Sequence, residues 1–202
     1  MKYKAIGFDY GGVIFGQPGY NFDASVALLL DVSLGEYRQA YFSHNRKPIT
    51  SEQIWRLVLS DLGRVDRFDD LNLLIERIGS AKKVNTDVLR LVTHLREGGY
   101  KVGLLSNNSV QKAEKMRQQK IDSYFDAFCV SAEIGYSKPD KPAFECLAKK
   151  LDVKLNQLVF IDDEPTSLKN FADCDYRPIL YTSYQRLLDQ LNKIGIQTSN
   201  EQ

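Results

Sequence analysis

The chain is poor in the residues that staple small folds. Only three cysteines, Cys129, Cys146 and Cys174, occur among 202 residues. An odd, widely spaced set fits neither a disulfide framework nor a zinc site, so they read as reduced, mostly buried thiols. No run of roughly 18 apolar residues is present, which excludes a membrane-spanning helix. No basic segment leading into an apolar one marks a secretory leader, so a cytoplasmic location is expected. An excess of either charge is also missing. Lys and Arg number 27 against 26 Asp and Glu, so no global field draws the chain to nucleic acid or to an anionic membrane. Small-molecule partners are expected instead, and oligomeric state leaves no trace in the sequence.

What is present suffices for one well-cored domain with a sizeable insertion, since 43% of residues are hydrophobic and 26% charged. The apolar run Ala5-Ile6-Gly7-Phe8 ends at one acid, Asp9, followed by Tyr10, Gly11 and Gly12. This pattern reads as a buried strand with a sharp exit loop. Strand carboxyl ends are where open α/β sheets bind ligands, although an aspartate capping a βα turn is the plainer reading of this stretch alone.

Residues 16–82 lack strand punctuation. Val26, Leu29 and Leu30 recur at helical spacing, as do Ile54, Leu57 and Val58 after the candidate caps Thr50 and Ser51, and Glu76-Arg77 falls on a third helix. This segment is expected to be an all-helical cap inserted into a core made of 1–15 and 83–202. From Asn85 onward helices and strands alternate. A helix carrying Val88, Leu91, Val92 and Leu95 ends at Gly98-Gly99, and Lys101–Ser106 follows as a strand. A helix over about Val110 to Gln119 precedes a strand near Phe128 to Ser131 and a helix from near Pro142. The strand Leu158–Asp162, a helix near Ser167 to Ala172 and a last strand near Ile179 to Tyr181 complete the pattern. Such alternation predicts an α/β fold, a parallel sheet with helices on both faces.

Four polar clusters follow successive apolar runs: Asp9, then Ser106-Asn107-Asn108, then Ser137-Lys138-Pro139, then Asp162-Asp163. In a right-handed parallel sheet these points lie along one edge and can converge. Converging carboxylates repel unless a divalent cation sits among them, and oxygen-only ligation suits magnesium. Lys138 supplies a fixed positive charge, Ser106 a hydroxyl, and its neighbours Asn107 and Asn108 backbone N–H groups at a helix start. Together these describe a site for phosphoryl transfer, which needs in-line positioning and neutralisation of the equatorial oxygens.

The ordered set strand-Asp9, Leu104-Leu105-Ser106-Asn107, Lys138-Pro139 and Phe160-Ile161-Asp162-Asp163 resembles the four motifs of the haloacid dehalogenase superfamily. The helical insertion after the first motif is similar to the cap of its first subclass. The resemblance spans essentially the whole chain and implies a Rossmann-like core. It implies a magnesium-dependent phosphohydrolase of small phosphorylated metabolites in which Asp9 is the nucleophile forming an aspartyl-phosphate. Ser106 and Lys138 then hold the phosphoryl oxygens, joined by Gly11, Gly12, Asn107 and Asn108 as phosphate-binding candidates. Asp9, Asp162, Asp163 and the Gly11 carbonyl complete the metal shell.

One position departs from the pattern. Phosphatases of this superfamily usually carry a second Asp two residues after the nucleophile as general acid and base, whereas this chain has Gly11. General acid-base help is worth about 10² to 10⁴ in rate, so its loss predicts a preference for leaving groups of low basicity: anomeric sugar, acyl or aryl phosphates. The Asp-Tyr-Gly-Gly form resembles a branch holding sugar-1-phosphate phosphatases and epoxide-hydrolase-like members. Paired Asp162-Asp163 agrees with that branch, while Glu164 stands where Asn is more usual.

Other residues read more plainly. His44 is either a solvated loop residue or a proton carrier reaching from the cap. His94 reads as a helix-surface residue, and Trp55 as cap packing rather than ligand stacking. Tyr10 either shapes the pocket or simply packs. Two alternatives remain at this level: a dehalogenase, which the position of Tyr10 and the acidic pair argue against, and a binding protein that has kept the fold without turnover.

Overall fold

The computed structural model of the chain describes residues 2–19, 22–45, 47, 49–81 and 83–198. The tail beyond Thr198, expected to be loose, and the expected cap boundary at residue 82 lie outside the described residues. Five parallel strands form the sheet: β1 (Ala5–Phe8), β2 (Lys101–Ser106), β3 (Ala127–Val130), β4 (Leu158–Asp162) and β5 (Arg177–Leu180). Their spatial order is β3-β2-β1-β4-β5. β1 is therefore central, with Phe8 in register with Leu104 of β2 on one side and Ile161 of β4 on the other. The strand order reverses direction about β1, and at such a switch point the loops leaving the carboxyl ends diverge to open a crevice.

Side chains alternate between the two faces of the sheet, and each face has its own core. Ile6, Phe8, Val102, Leu104, Val159 and Ile161 pack on one face with Val88, Leu91, Val92 and Leu95 of α5 (Thr86–Glu97). Met116 of α6 (Val110–Gln118) and Leu187 and Leu191 of α11 (Tyr184–Lys193) join them. On the other face Ala5, Leu105, Cys129, Leu158 and Phe160 meet Ala143, Phe144 and Leu147 of α8 (Lys141–Lys150). Close approach there depends on missing side chains, because a Cβ on Gly7 would lie 2.8 Å from Leu147 Cδ2 and 2.6 Å from Phe160 Cδ2. All three cysteines are free, with Cys129 and Cys174 buried.

Between β1 and α5 run α1 (Phe22–Leu29), α2 (Leu34–His44), α3 (Ser51–Asp61) and α4 (Phe68–Ala81). They bury a third core around Val26, Leu30, Tyr37, Ile54, Val58, Leu59 and Leu71. Each such aliphatic side chain taken fully from water contributes about 1.5–3 kcal/mol. Ser33 and Thr50 form capping boxes with Glu36 and Gln53, so the start of α2 and the start of α3 are both written locally. Ser51, the other candidate cap, is already helical.

Three features differ from the sequence reading. The helix expected near Ser167 to Ala172 is two single turns, α9 (Pro165–Leu168) and α10 (Phe171–Cys174). The closing helix α11 was not expected, although Ser183 caps it and Leu187, Leu188 and Leu191 recur at helical spacing. Lys138 does not end a strand; it lies beyond β3 and the turn α7 (Ser131–Ile134), in the loop leading to α8.

Candidate active site

Asp9 follows β1 directly, and its N–H extends the ladder by donating to the Ile161 carbonyl at 2.8 Å. The carboxylate consequently emerges at the crevice beside the end of β4, where Asp162 is fully buried. Lys138 Nζ donates to Asp9 Oδ1 at 2.6 Å and to Asp162 Oδ2 at 2.5 Å, and all three side chains are almost wholly enclosed. Asp163 completes a cluster in which one oxygen from each of Asp9, Asp162 and Asp163 lies within 4.8 Å of the others. Three carboxylates against one ammonium leave two uncompensated negative charges.

Burial pushes the Asp9 carboxyl above its usual range, against the pull of Lys138 and with Asp163 adding to the rise. Burial likewise pushes Asp162 up to about 6 despite Lys138, and Asp163 up to about 6 despite the Gly19 N–H that donates to its Oδ2 at 2.8 Å. Desolvation alone lowers the Lys138 pKa, but Asp162 and Asp9 outweigh it and hold the ammonium charged. Such a set fits a hard divalent cation: the donors are all oxygens, dry, close and two charges in excess.

The remaining predicted residues gather at the same crevice, several of them bound to one another. Ser106, ending β2, is buried, and its Oγ accepts from Asn108 Nδ2 at 2.7 Å. The hydroxyl hydrogen is thereby left for an acceptor in the cleft. Asn108 N donates to Ser131 Oγ at 3.1 Å. The Asn107 amide is engaged at both ends: Nδ2 donates to the Lys138 carbonyl at 2.9 Å, and Oδ1 accepts the Lys138 N–H at 2.9 Å. The side chains of both asparagines therefore position Ser106 and Lys138. Gly12 N donates to the Phe15 carbonyl at 2.9 Å, so its contribution is space. At φ 68° it lies against Asp163, where a Cβ would come 2.0 Å from Oδ2. Gly11 is different: among the described residues a Cβ there meets only Asp9 Oδ2, at 3.7 Å, and its φ is not left-handed.

Tyr10 is buried and stacked on Phe15, with ring centroids 5.3 Å apart, and both rings line the cleft. His44 is neither solvated nor part of the cleft lining. Its Nδ1 lies 2.7 Å from Lys47 Nζ and its Nε2 lies 2.6 Å from Asp61 Oδ2. That contact ties α2 to α3. Above the carboxylates the cleft, about 680 Å³ in volume, is walled by the four helices, with Phe22, Tyr41, Phe42 and Trp55 among the lining residues. Sequence reasoning missed the Asn107 clasp and the Gly19 contact, which link distant segments and leave no local pattern. The crowding of Tyr37, Tyr41, Phe42 and Trp55 into one stretch was the available signal for the wall.

No helix among the described residues is long and apolar enough to cross a membrane. Residues 3–175 match the haloacid dehalogenase-like hydrolase family. Bifunctional epoxide hydrolase 2 of Sus scrofa is 28% identical over 130 residues, covering 61% of this chain and 23% of that one, so the match spans about a quarter of that relative. A glyceraldehyde 3-phosphate phosphatase of Methanothermobacter thermautotrophicus is 22% identical over 189 residues, 80% of this chain and 77% of that one. A HAD family enzyme of Bacteroides thetaiotaomicron, crystallised with magnesium and inorganic phosphate, superposes with a TM-score of 0.65 at 17% identity, covering 92% of this chain and 98% of that one. Family match, parallel sheet and the crevice at its switch point agree, and the chain belongs to the haloacid dehalogenase-like hydrolases.

Proposed function

We propose that this hydrolase removes the phosphoryl group from a small phosphorylated metabolite, with magnesium bound and an aspartyl-phosphate formed on Asp9. The observation that carries the reading is the enclosed cluster of Asp9, Asp162 and Asp163 around the Lys138 ammonium. Asp9, Asp162, Asp163 and the Gly11 carbonyl are the groups to hold magnesium, which would supply charge neutralisation for the transferring phosphoryl oxygens. Asp9 attacks phosphorus in line, and the third Lys138 hydrogen and the Ser106 hydroxyl donate to the equatorial oxygens. Water then cleaves the acyl phosphate, and the four helices act as a cap that excludes bulk solvent. The phosphatase relative supports the reaction class, and the depth of the crevice supports a small-molecule substrate rather than a macromolecular partner.

No carboxylate occupies position 11, so nothing at that point protonates the leaving group. Substrates with weakly basic leaving groups are therefore turned over best. The test is a panel of phosphate monoesters assayed with magnesium and with a chelator, alongside Asp9→Asn. Phosphate release that needs magnesium and vanishes in the variant is expected; release that survives the substitution overturns the reading. Trapping with a fluoride-based phosphate mimic identifies the group attached.

A further inference from the structure

We propose that the cap seats an aromatic ring, so that the preferred substrates are monophosphate esters of phenols. This rests on the phosphohydrolase reading and narrows it. The upper wall of the cleft is built from Phe22, Tyr41, Phe42, Trp55, Ile75 and Ile78. Tyr37 and Ile54 are fully buried and form the packing beneath, whereas Phe22, Tyr41 and Trp55 keep part of their surface and Phe42 is 37% exposed. The rings form one connected set, with Trp55 5.4 Å from Tyr41, 6.1 Å from Phe22 and 6.5 Å from Tyr37, centroid to centroid. A flat hydrophobic guest adds to such a set by offset or edge contact. Among the polar side chains of this wall, Arg38 and Asp23 are joined at 2.8 Å. Ile75 and Ile78 lie on the same side, so a ring placed against this wall meets mainly apolar surface.

The chemistry at position 11 points to the same class independently. A phenol ionises near pH 10, as tyrosine does, whereas an alkoxide is about as basic as hydroxide, so an aryloxide departs without a proton donor. The Asp9 oxygen forms a bond to phosphorus while the phosphorus–aryloxide bond breaks, and the aryloxide leaves with the electron pair and takes a proton from water. A second water attacks phosphorus and frees Asp9, and the proton it gives up neutralises the hydroxide left by the first, so one water is consumed and phenol and inorganic phosphate are formed.

Trp55 is the sole tryptophan, so its fluorescence reports the seat directly. With magnesium present, phenylphosphonate should perturb its emission and bind at least tenfold tighter than methylphosphonate; equal affinities overturn the proposal. In turnover, Trp55→Leu should lower the kcat/KM ratio of phenyl phosphate over acetyl phosphate at least tenfold. Phe42→Ala, on the most exposed ring of the four, should lower it at least threefold and serves if Trp55→Leu fails to fold. Unchanged ratios overturn the seat. Tight phenylphosphonate binding without hydrolysis of any ester keeps the seat and sinks the reaction. Hydrolysis indifferent to the ring, glucose 1-phosphate matching phenyl phosphate, does the reverse.

Discussion

Asn107 clasps the backbone of Lys138, its amide donating to the carbonyl and accepting the N–H, both at 2.9 Å. The residue after β2 thereby fixes the loop that carries the ammonium to Asp9 and Asp162. Lys138 reaches both carboxylates along a flexible stem, so its placement rests on where its backbone is held.

Asn107→Ala should loosen that loop. Two hydrogen bonds at about 0.5–1.5 kcal/mol each correspond to a fall in kcat/KM of roughly fivefold to 150-fold. The expected signature is a fall in kcat larger than the rise in KM, measured with any accepted ester. An unchanged kcat would show that the ammonium finds its place without the clasp.

Gly11→Asp should improve the enzyme on poor leaving groups. The new side chain starts beside Asp9 Oδ2, in space that is open and with ordinary backbone angles. General acid-base help adds about 10² to 10⁴ in rate, and most of it falls on alkyl phosphates. Plotting log kcat/KM against leaving-group pKa for wild type and variant gives the check: the slope should flatten.

Magnesium should stabilise the protein in a pH-dependent way. Asp162 and Asp163 are both pushed up to about 6 by burial, so between about pH 4 and 6 the folded metal-free chain holds more protons than the unfolded one. Stability of the metal-free protein therefore falls as pH rises through that window. A cation must displace those protons below pH 6 and need not above it. The Tm increase on adding magnesium should be large at pH 7.5 and small at pH 5, and Asp162→Asn should remove it. An increase of equal size at both pH values would contradict the assignment.

Lys138→Met should destabilise the metal-free protein by about 3–5 kcal/mol, because it strips a buried charge from two buried partners. Added magnesium should recover part of this by neutralising the same carboxylates. Denaturant melts with and without magnesium provide the comparison. A metal-free variant as stable as wild type would mean that Asp9 and Asp162 are already protonated in the absence of the ion.

Much of this molecule is legible in local chemistry. Alternation of apolar runs with helical periodicity identified the α/β class, because burial on both faces of a parallel sheet forces short unbroken apolar strands such as Leu158–Asp162. Side-chain type at strand ends picked out Asp9, Ser106 and Asp162, since those ends meet at one edge in any right-handed parallel sheet. Glycine at position 11, and with it the lack of a carboxylate there, is read directly from the chain. Tertiary structure alone decided where each donor is directed. The side-chain amides of Asn107 and Asn108 turn to Lys138 and Ser106, and the Gly12 N–H turns to Phe15. His44 left solvent for Asp61, and the rings of α1, α2 and α3 came to line the cleft that holds the carboxylates. The reason is physical: periodicity is a property of neighbours along the chain, whereas a hydrogen-bond partner or a cavity wall depends on segments that meet only after the core has closed.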